Sequence, residues 1–385
     1  KGHAVRNEIR RNSIHNNFGR GIELVGGEFG ASFTLNYKQL LVNADPLQFR
    51  GNDADDGPNR LQNYPVLVRI YDNGDKEWVL SGTPGASVTI EYFSNTEADP
   101  SGFGEGQRFL GNDTVTLKAD GFATMITSFA EALISATATD ALGNTSEFSM
   151  VDQDADALPD GWETDGIDVN EDGVMDLRLN SLPRHKDLFV EVDAMLGNAP
   201  SQATLDRVVA AFDRAPNALV RNPDAQAGIT LRATLDDTPI PLDDYDYTWV
   251  EFHRDWARFF GTDQDRADVA KFENRLQARR LVFRYCIFGN QYGTTARQKK
   301  SSGVAEITGN ECLVTLGGAD IAGNARGWRL ADGSAGTPDE QAGTFMHEFG
   351  HTLGLRHGGG GTAANEKEPS ALHGTESELP TSETT

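Results

Sequence analysis

The chain has 385 residues, of which 38% are hydrophobic and 24% are charged, and its formal net charge at pH 7 is −24. This length favours two to four domains, and the negative charge disfavours nucleic acid and anionic membranes as partners while favouring divalent cations. No run of 18 apolar residues is present, so no membrane span is predicted. Cys286 and Cys312 are too few for a disulfide framework but could form one pair.

Residues 1–75 are predicted to form the end of a right-handed β-helix-like region followed by a linker. Between Ile9 and Leu24, single apolar residues recur every few positions and are separated by Asn and Gly, a pattern typical of short strands with Asn at the corners. A polar loop with scattered isoleucines is the alternative. The acidic run at 52–59 is interpreted as a solvated loop rather than a cation site, and 64–70 is predicted to be a strand.

Residues 76–150 are predicted to form a small β-sandwich. Alternating strand patterns occur at Ala86–Phe93, Asp113–Leu117 and Leu133–Asp140, separated by turns rich in Gly and Asn. The pattern resembles the immunoglobulin-like modules of bacterial surface proteins. That resemblance implies a spacer or adhesion module, and no residue in this segment suggests catalysis.

Residues 151–180 contain two acidic loops with the ligand spacing of calcium-binding loops. In the first, carboxylates occupy positions 1, 3, 5, 9 and 12 of the loop, namely Asp152, Asp154, Asp156, Asp160 and Glu163. The second keeps positions 1, 3, 5, 6 and 9 with Asp168, Asn170, Asp172, Gly173 and Asp176. Position 6 of the first loop is Ala157 instead of glycine, and position 12 of the second is Leu179, so its closing carboxylate must come from elsewhere.

The two loops resemble the calcium-binding Asp-rich repeats of bacterial secreted proteins. They predict calcium as a ligand, and the millimolar calcium outside cells makes an extracellular or cell-surface location the expectation. An acidic hinge without calcium is the alternative. The chain starts at Lys1 with neither an initiator methionine nor a signal peptide, so it is interpreted as a fragment or a processed form.

From 181 to 360 the pattern changes to alternating strands and helices, which predicts an α/β sheet. Predicted strands are Asp187–Asp193, Gly228–Leu235, Arg280–Phe288 and Glu311–Leu316, and predicted helices are Leu205–Phe212, Trp249–Phe260 and Asp265–Leu276. The fold class is therefore predicted to be multidomain, with a β-rich N-terminal half and an α/β domain in the C-terminal half.

The last predicted helix contains the spacing H-E-x-x-H-x-x-G-x-x-H. It begins at Thr337 with a capping-box pattern, and His347 and His351 lie one turn apart, so that both can reach one metal ion. Gly354 is placed to end the helix, which lets His357 supply a third nitrogen. Three protein ligands leave an open position on zinc, and Glu348 lies beside it as a candidate base. The alternative is a helix whose histidines have no common ligand.

The motif resembles that of metzincin-type zinc metalloproteases, and residues 341–360 are similar to a group of bacterial secreted enzymes. The resemblance implies a metzincin-like catalytic domain with zinc on His347, His351 and His357. It also implies peptide-bond hydrolysis by metal-activated water with Glu348 as general base. The partner is then a protein or peptide substrate, bound by β-augmentation at a strand edge near Leu313–Leu316. Tyr285 and Tyr292 are candidate oxyanion donors by residue type alone.

One departure from the family concerns the methionine turn, because no methionine follows Met346. Residues 361–385 lack periodicity and are predicted to be a disordered or aberrant tail, so the catalytic domain is expected to be incomplete. The leading hypothesis is a secreted zinc endopeptidase. The alternatives are a calcium-dependent surface or adhesion protein with an inactive protease domain and, last, a polysaccharide-active enzyme that uses the β-helix.

Overall fold

The computed structural model describes residues 4–17, 20–24, 58–236, 239–246, 249–307, 309–318 and 327–357. Over these residues the chain is a mixed α/β protein with several separate sheets. The predicted rungs beyond Leu24, the acidic run up to residue 57 and the predicted tail at 361–385 lie outside the described residues. No helix of the described part has the length and apolar character needed to cross a membrane.

The chain divides into two compact units that interleave along the sequence. The first unit comprises residues 1–188, 213–230 and 268–282, and the second comprises 189–212, 231–267 and the chain from 283 onward. The five consecutive segments predicted from the sequence remain a prediction. A division into interleaved units depends on long-range contacts, which the composition of consecutive segments does not reveal.

Two antiparallel three-stranded sheets form the centre of the first unit. Their strands are β1 (Val66–Ile70), β2 (Lys76–Ser81), β3 (Ser87–Ser94), β4 (Arg108–Thr116), β5 (Phe122–Thr127) and β6 (Ile134–Asp140). One sheet has the order β1-β2-β5 and the other the order β4-β3-β6. Trp78, Leu80, Ile90, Tyr92 and Ala136 from both sheets share one buried core, because alternate side chains of each strand point to the same face.

This two-sheet arrangement starts earlier than predicted, because β1 precedes residue 76 and pairs with β2. The described part of the predicted β-helix, 4–17 and 20–24, contains no parallel rung. Ile14 instead makes an antiparallel bridge to Gly106, and Ile22 and Leu24 pack with Phe93. The spaced apolar residues therefore share one cluster with Phe93 and Phe148 instead of stacking in parallel rungs, which corrects the β-helix interpretation for these residues.

The described residues contain seven α-helices. They are α1 (Asp160–Thr164), α2 (Gln202–Asp213), α3 (Asn217–Val220), α4 (Val250–Phe259), α5 (Asp263–Ala267), α6 (Phe272–Val282) and α7 (Pro338–Thr352). The predicted helix Asp265–Leu276 is wrong, because the chain forms α5 and α6 on either side of a break. Helix α6 also includes the first three residues of the predicted strand Arg280–Phe288, so that strand begins only at Phe283.

A further sheet has five strands: β7 (Asp187–Ala194), β8 (Thr230–Leu235), β10 (Phe283–Phe288), β12 (Gly303–Ala305) and β13 (Glu311–Val314). Its order is β12-β13-β10-β7-β8. Strands β7, β10 and β13 are parallel, and β12 runs antiparallel to β13. A separate parallel pair joins β9 (Asp244–Tyr245) to β11 (Gln291–Tyr292).

Helix α7 packs against β12 and β13. Its Phe345 ring lies 5.8 Å from the ring of Phe288, and its Phe349 ring lies 5.8 Å from that of Phe212. Tyr285 precedes Phe288 by three residues and therefore points to the opposite face of the sheet. There its ring lies 5.8 Å from that of Phe252 in α4. The sheet thus separates the histidine-bearing helix from α4.

Candidate metal centres

The local sequence determines where α7 begins and ends. The Thr337 hydroxyl accepts a hydrogen bond from the Glu340 backbone N–H at 3.2 Å, and the Glu340 carboxylate accepts one from the Thr337 N–H at 2.7 Å. This is the predicted capping box, with Pro338 in the first turn. At the other end, Gly354 has a φ of +87°, and Leu355 N–H donates to the Gly350 carbonyl at 3.0 Å. This bond closes a Schellman turn.

The turn brings the three predicted zinc ligands together. His347 Nε2 lies 2.7 Å from His357 Nε2, His351 Nε2 lies 3.2 Å from His347 Nε2, and His351 Nε2 lies 3.0 Å from His357 Nε2. Zinc–nitrogen bonds in a tetrahedral site separate two ligand nitrogens by roughly 3.3 Å. Two of the three distances are therefore within about 0.3 Å of this spacing, and the His347–His357 pair is about 0.6 Å shorter.

A hydrogen-bond network does not account for this triangle. Each nitrogen of a neutral imidazole is either a donor or an acceptor. Three such atoms in mutual contact cannot form a donor–acceptor pair at all three contacts. At least one pair must place like against like, whichever tautomers are chosen. A cation accepts three lone pairs at once, so the donor set suits a bound metal ion better than it suits three histidines alone.

The second nitrogen of His351 supports the same orientation. Its Nδ1 lies 2.6 Å from the Leu355 carbonyl oxygen, so Nδ1–H is the donor of that bond. The Nε2 atom of the same ring must then carry a lone pair, which points towards His347 and His357. A backbone carbonyl behind a ligating imidazole is the usual way in which proteins fix its tautomer and its angle.

Glu348 lies beside the three imidazoles on the buried side of α7, with an exposed fraction of 5%. Burial raises the pKa of its carboxyl to about 8, because a low-dielectric environment disfavours the charged form. Gly303 in β12 packs directly against this side chain. A methyl group built on Gly303 would lie 2.5 Å from Glu348 Cγ and 2.6 Å from Oε1, so the glycine provides the space that the carboxylate occupies.

The sheet edge next to Glu348 differs from the predicted one. The predicted edge was Leu313–Leu316, but β13 pairs with β10 on one side and with β12 on the other. Within the described residues, β12 is the outermost strand at this side of the sheet. Sequence patterns could not reveal this, because β12 has only three residues and edge position is a property of the whole sheet.

Two other residues named from the sequence have different surroundings from those expected. Tyr285 is 1% exposed, and its hydroxyl donates to Asp193 on the face opposite α7, so it is not an oxyanion donor beside Glu348. Tyr292 is also buried, with its ring 6.4 Å from that of Trp249. Cys286 and Cys312 are buried free thiols on neighbouring strands in direct register. Burial raises the pKa of Cys286, with Cys312 and Glu348 as smaller causes.

The first acidic loop brings three predicted ligands together. Asp152, Asp154 and Asp156 each offer a carboxylate oxygen within 4.8 Å of the other two. Asp152 accepts hydrogen bonds from the backbone N–H groups of Ala155 and Ala157 at 2.7 and 2.9 Å. These hydrogen bonds fold the loop so that its carboxylates point inward, as in calcium-binding loops.

Several carboxylates of this loop are buried without a hydrogen-bond partner. Both oxygens of Asp154 and both oxygens of Glu163 are in this state. Burial, together with repulsion from Asp156 and Asp152, raises the pKa of Asp154 to about 11 and that of Glu163 to about 10. Unpaired buried carboxylates are costly, and a cation among them would remove that cost.

Asp160 departs from the predicted ligand set. Its two carboxylate oxygens accept hydrogen bonds from the backbone and the side-chain amide of Gln153, both at 2.8 Å. Asp160 therefore braces the loop rather than joining the group of three. Asp187 was not predicted, yet its backbone N–H donates to Asp156 at 2.7 Å. The side chain of Lys186 bonds to the carbonyl of Asp154.

The second acidic loop is organised mainly by its own backbone. Asp168 accepts from Gly173 N–H at 2.7 Å, Asn170 and Asp172 are hydrogen-bonded to each other, and Asp176 accepts from Val169 N–H at 3.0 Å. No three carboxylates of this fully described loop come within 4.8 Å of one another. Leu179, at the position of the missing closing carboxylate, is buried. The structure therefore forms a compact ligand cluster in the first loop but not in the second.

Comparisons with known proteins leave these centres to be interpreted from their geometry. No protein-family model matches the chain, and no curated protein matches it.

Proposed function

We propose that this protein is a zinc-dependent endopeptidase of metzincin-like type and that its first acidic loop binds calcium. The observation that carries the proposal is the triangle of imidazole nitrogens, 2.7 to 3.2 Å apart, at the end of a capped helix. A buried carboxylate on the same helix completes the set of groups that hydrolysis needs. Bound zinc supplies Lewis-acid chemistry, which polarises a carbonyl and activates water.

In this proposal the metal is held by His347, His351 and His357, and Glu348 transfers the proton. Glu348 accepts a proton from the attacking water and then donates it to the nitrogen of the leaving amine. A carboxyl with a pKa of about 8 in the metal-free chain retains protons well. A cation bound to the neighbouring imidazoles would lower that pKa and so favour the charged form that accepts a proton.

The substrate is proposed to be an extended peptide bound along β12. This strand is outermost in the described sheet and packs directly against Glu348 through Gly303. An extended chain can pair with the free backbone groups of such a strand, which would bring a peptide bond near the metal and the base. This geometry favours cleavage within a chain over the removal of terminal residues.

Calcium in the first loop is proposed from the buried and unpaired oxygens of Asp154 and Glu163. Asp154 lies within 4.8 Å of Asp152 and Asp156, and Glu163 is close enough to interact electrostatically with both. Together they give an all-oxygen environment of the kind that calcium prefers. Because calcium at such a loop is most available outside cells, we propose an extracellular or cell-surface location.

The test combines metal analysis with peptide cleavage. Zinc content is measured by plasma mass spectrometry and cleavage with a fluorogenic peptide library, for the wild type, Glu348→Gln and His351→Ala. We expect one zinc per chain and cleavage in the wild type, zinc without cleavage in Glu348→Gln, and neither in His351→Ala. Asp339→Asn is the control, because it removes an exposed carboxylate from the same helix and should leave both readings unchanged.

Cleavage by Glu348→Gln at the wild-type rate would overturn the role of Glu348. Zinc binding without cleavage of any peptide by the wild type would overturn the enzymatic proposal and favour a metal-dependent binding protein. Calcium is tested separately with Asp154→Asn, which should bind one calcium ion fewer per chain than the wild type and keep its zinc.

A further inference from the structure

A second group of buried carboxylates lies under α4, on the sheet face opposite the histidines. Glu191 and Asp193 are two residues apart in β7, so their side chains point to the same face. Asp236 follows β8, and its backbone N–H donates to the Val192 carbonyl at 3.0 Å. The three side chains each offer an oxygen within 4.8 Å of the other two.

This group is almost fully enclosed. The exposed fraction of Glu191 and of Asp193 is 0%, and that of the Asp236 side chain is 5%. Acidic residues are seldom buried to this extent unless they are paired or bind a metal ion. Two acids two residues apart in a central strand also stand out among the apolar neighbours of that strand.

The polar contacts around the group leave one oxygen unsatisfied. Glu191 accepts a hydrogen bond from Gly261 N–H at 2.6 Å, and Asp236 accepts one from Arg266 at 3.1 Å. Asp193 Oδ2 accepts from the Tyr285 hydroxyl, whereas Asp193 Oδ1 is buried with no hydrogen-bond partner. A divalent cation among the three carboxylates would give that oxygen a partner.

We propose that Glu191, Asp193 and Asp236 bind a divalent cation, with calcium as the preferred ion. Two oxygens on one calcium ion can be at most about 5 Å apart, since each Ca–O bond is about 2.3–2.6 Å, and the group meets this limit. Magnesium usually keeps several of its bound water molecules, and an enclosed site lined by three carboxylates leaves little space for them. The site is distinct from the histidine centre and from the acidic loops, and it would join β7 to the chain after β8.

The same domain contains a matched contrast in Asp255. It is also buried, and it accepts a hydrogen bond from the Tyr245 hydroxyl at 2.8 Å and others from Arg254 at 2.9 and 3.0 Å. Asp255 belongs to no group of three potential ligands in the described chain. A buried Asp with a tyrosine and an arginine therefore needs no cation. The unpaired oxygen and the two extra carboxylates set Asp193 apart.

The experiment counts calcium in the full chain by equilibrium dialysis and follows thermal unfolding with and without calcium. All variants carry Asp154→Asn and Glu163→Gln, so that calcium in the first loop does not enter the count. We expect Asp193→Asn to bind one calcium fewer per chain and to lose the calcium-induced rise in melting temperature. Asp255→Asn should bind as many calcium ions as the parent chain.

Terbium luminescence gives a second reading, because the Tyr285 ring is in contact with Asp193 and can sensitise a bound lanthanide. Asp236→Asn, at the rim of the group, is the second variant if Asp193→Asn fails to fold, and it should also bind one calcium fewer. The proposal would be overturned if folded Asp193→Asn or folded Asp236→Asn bound as many calcium ions as the parent chain. Equally strong binding of magnesium would overturn the preference for calcium. Zinc content and peptide cleavage are measured apart, so a failed proteolytic function would not be mistaken for a missing calcium site.

Discussion

Replacing Gly303 by alanine inserts a methyl group into the space that Glu348 occupies. An ideal Cβ at this position lies 2.5 Å from Glu348 Cγ, 2.6 Å from Oε1 and 2.7 Å from Cδ. Carbon atoms in favourable contact are about 3.5–4.0 Å apart, so the overlap is about 1 Å. Glu348 is buried on every side and must shift within the site to relieve it.

A shift of about 1 Å in a reacting group costs about a hundredfold in rate, which corresponds to about 2.7 kcal/mol of transition-state stabilisation. Gly303→Ala is therefore expected to lower kcat/KM about a hundredfold on a fluorogenic peptide. Overpacking should also lower the free energy of unfolding by about 1–3 kcal/mol. Zinc content should not change, because the three heavy atoms nearest to the added methyl group all belong to Glu348.

Gly343→Ala is the matched control on α7. A Cβ on Gly343 has no heavy atom within 4 Å, and alanine in a helix interior is more stable than glycine by about 0.5–1 kcal/mol. This variant should cleave peptide at the wild-type rate and unfold at a slightly higher temperature. The Gly303→Ala protein must be folded and zinc-loaded for this comparison. If it then keeps at least a third of the wild-type kcat/KM, contact with β12 does not position Glu348.

Three further predictions concern stability. Ala157 has a φ of +73°, so Ala157→Gly should raise the free energy of unfolding by about 1 kcal/mol in urea titrations, and a decrease would contradict the turn. In chelator, the free energy of unfolding should fall as the pH rises from about 4 to about 10, because Asp154 and Glu163, with folded-state pKa values of about 11 and 10, hold protons that they release on unfolding; each contributes at most about 1.4 kcal/mol per pH unit. Calcium should abolish this slope, and a rise with pH in chelator would refute it. Thr337→Ala should cost about 1 kcal/mol in thermal unfolding and Thr337→Ser much less; equal losses would argue against the cap.

The histidine-bearing helix α7 could be predicted because short-range rules determine it. The capping box at Thr337, the spacing of His347 and His351 and the turn at Gly354 all depend on residues within a few positions of one another. The first acidic loop is similar, since backbone N–H groups close to Asp152 direct its carboxylates inward. In both cases the residues that make the site also make the local backbone.

Contacts between distant segments explain what the sequence did not predict. Strand β12 is too short to show a periodic pattern, and only its pairing with β13 reveals it. Gly303 gained its importance from Glu348, which is 45 residues away in the chain (348 − 303). The N-terminal pattern of spaced isoleucines suits a β-helix rung and an extended segment on a sheet equally well. Only the neighbours that bury Ile14 and Ile22 distinguish them.

The acid-rich composition gains a physical explanation from where the buried acids lie. Surface acids alone would account for a net charge of −24 without any buried carboxylate. Instead, Asp154, Glu163 and Asp193 place carboxylate oxygens in the interior without partners, which costs free energy. Such groups persist when a cation completes them, since binding to the folded state adds directly to its stability. In the two proposals made above, the candidate metal groups on the two faces of the sheet serve different ends: the imidazoles beside β12 serve chemistry, and the carboxylates under α4 serve rigidity.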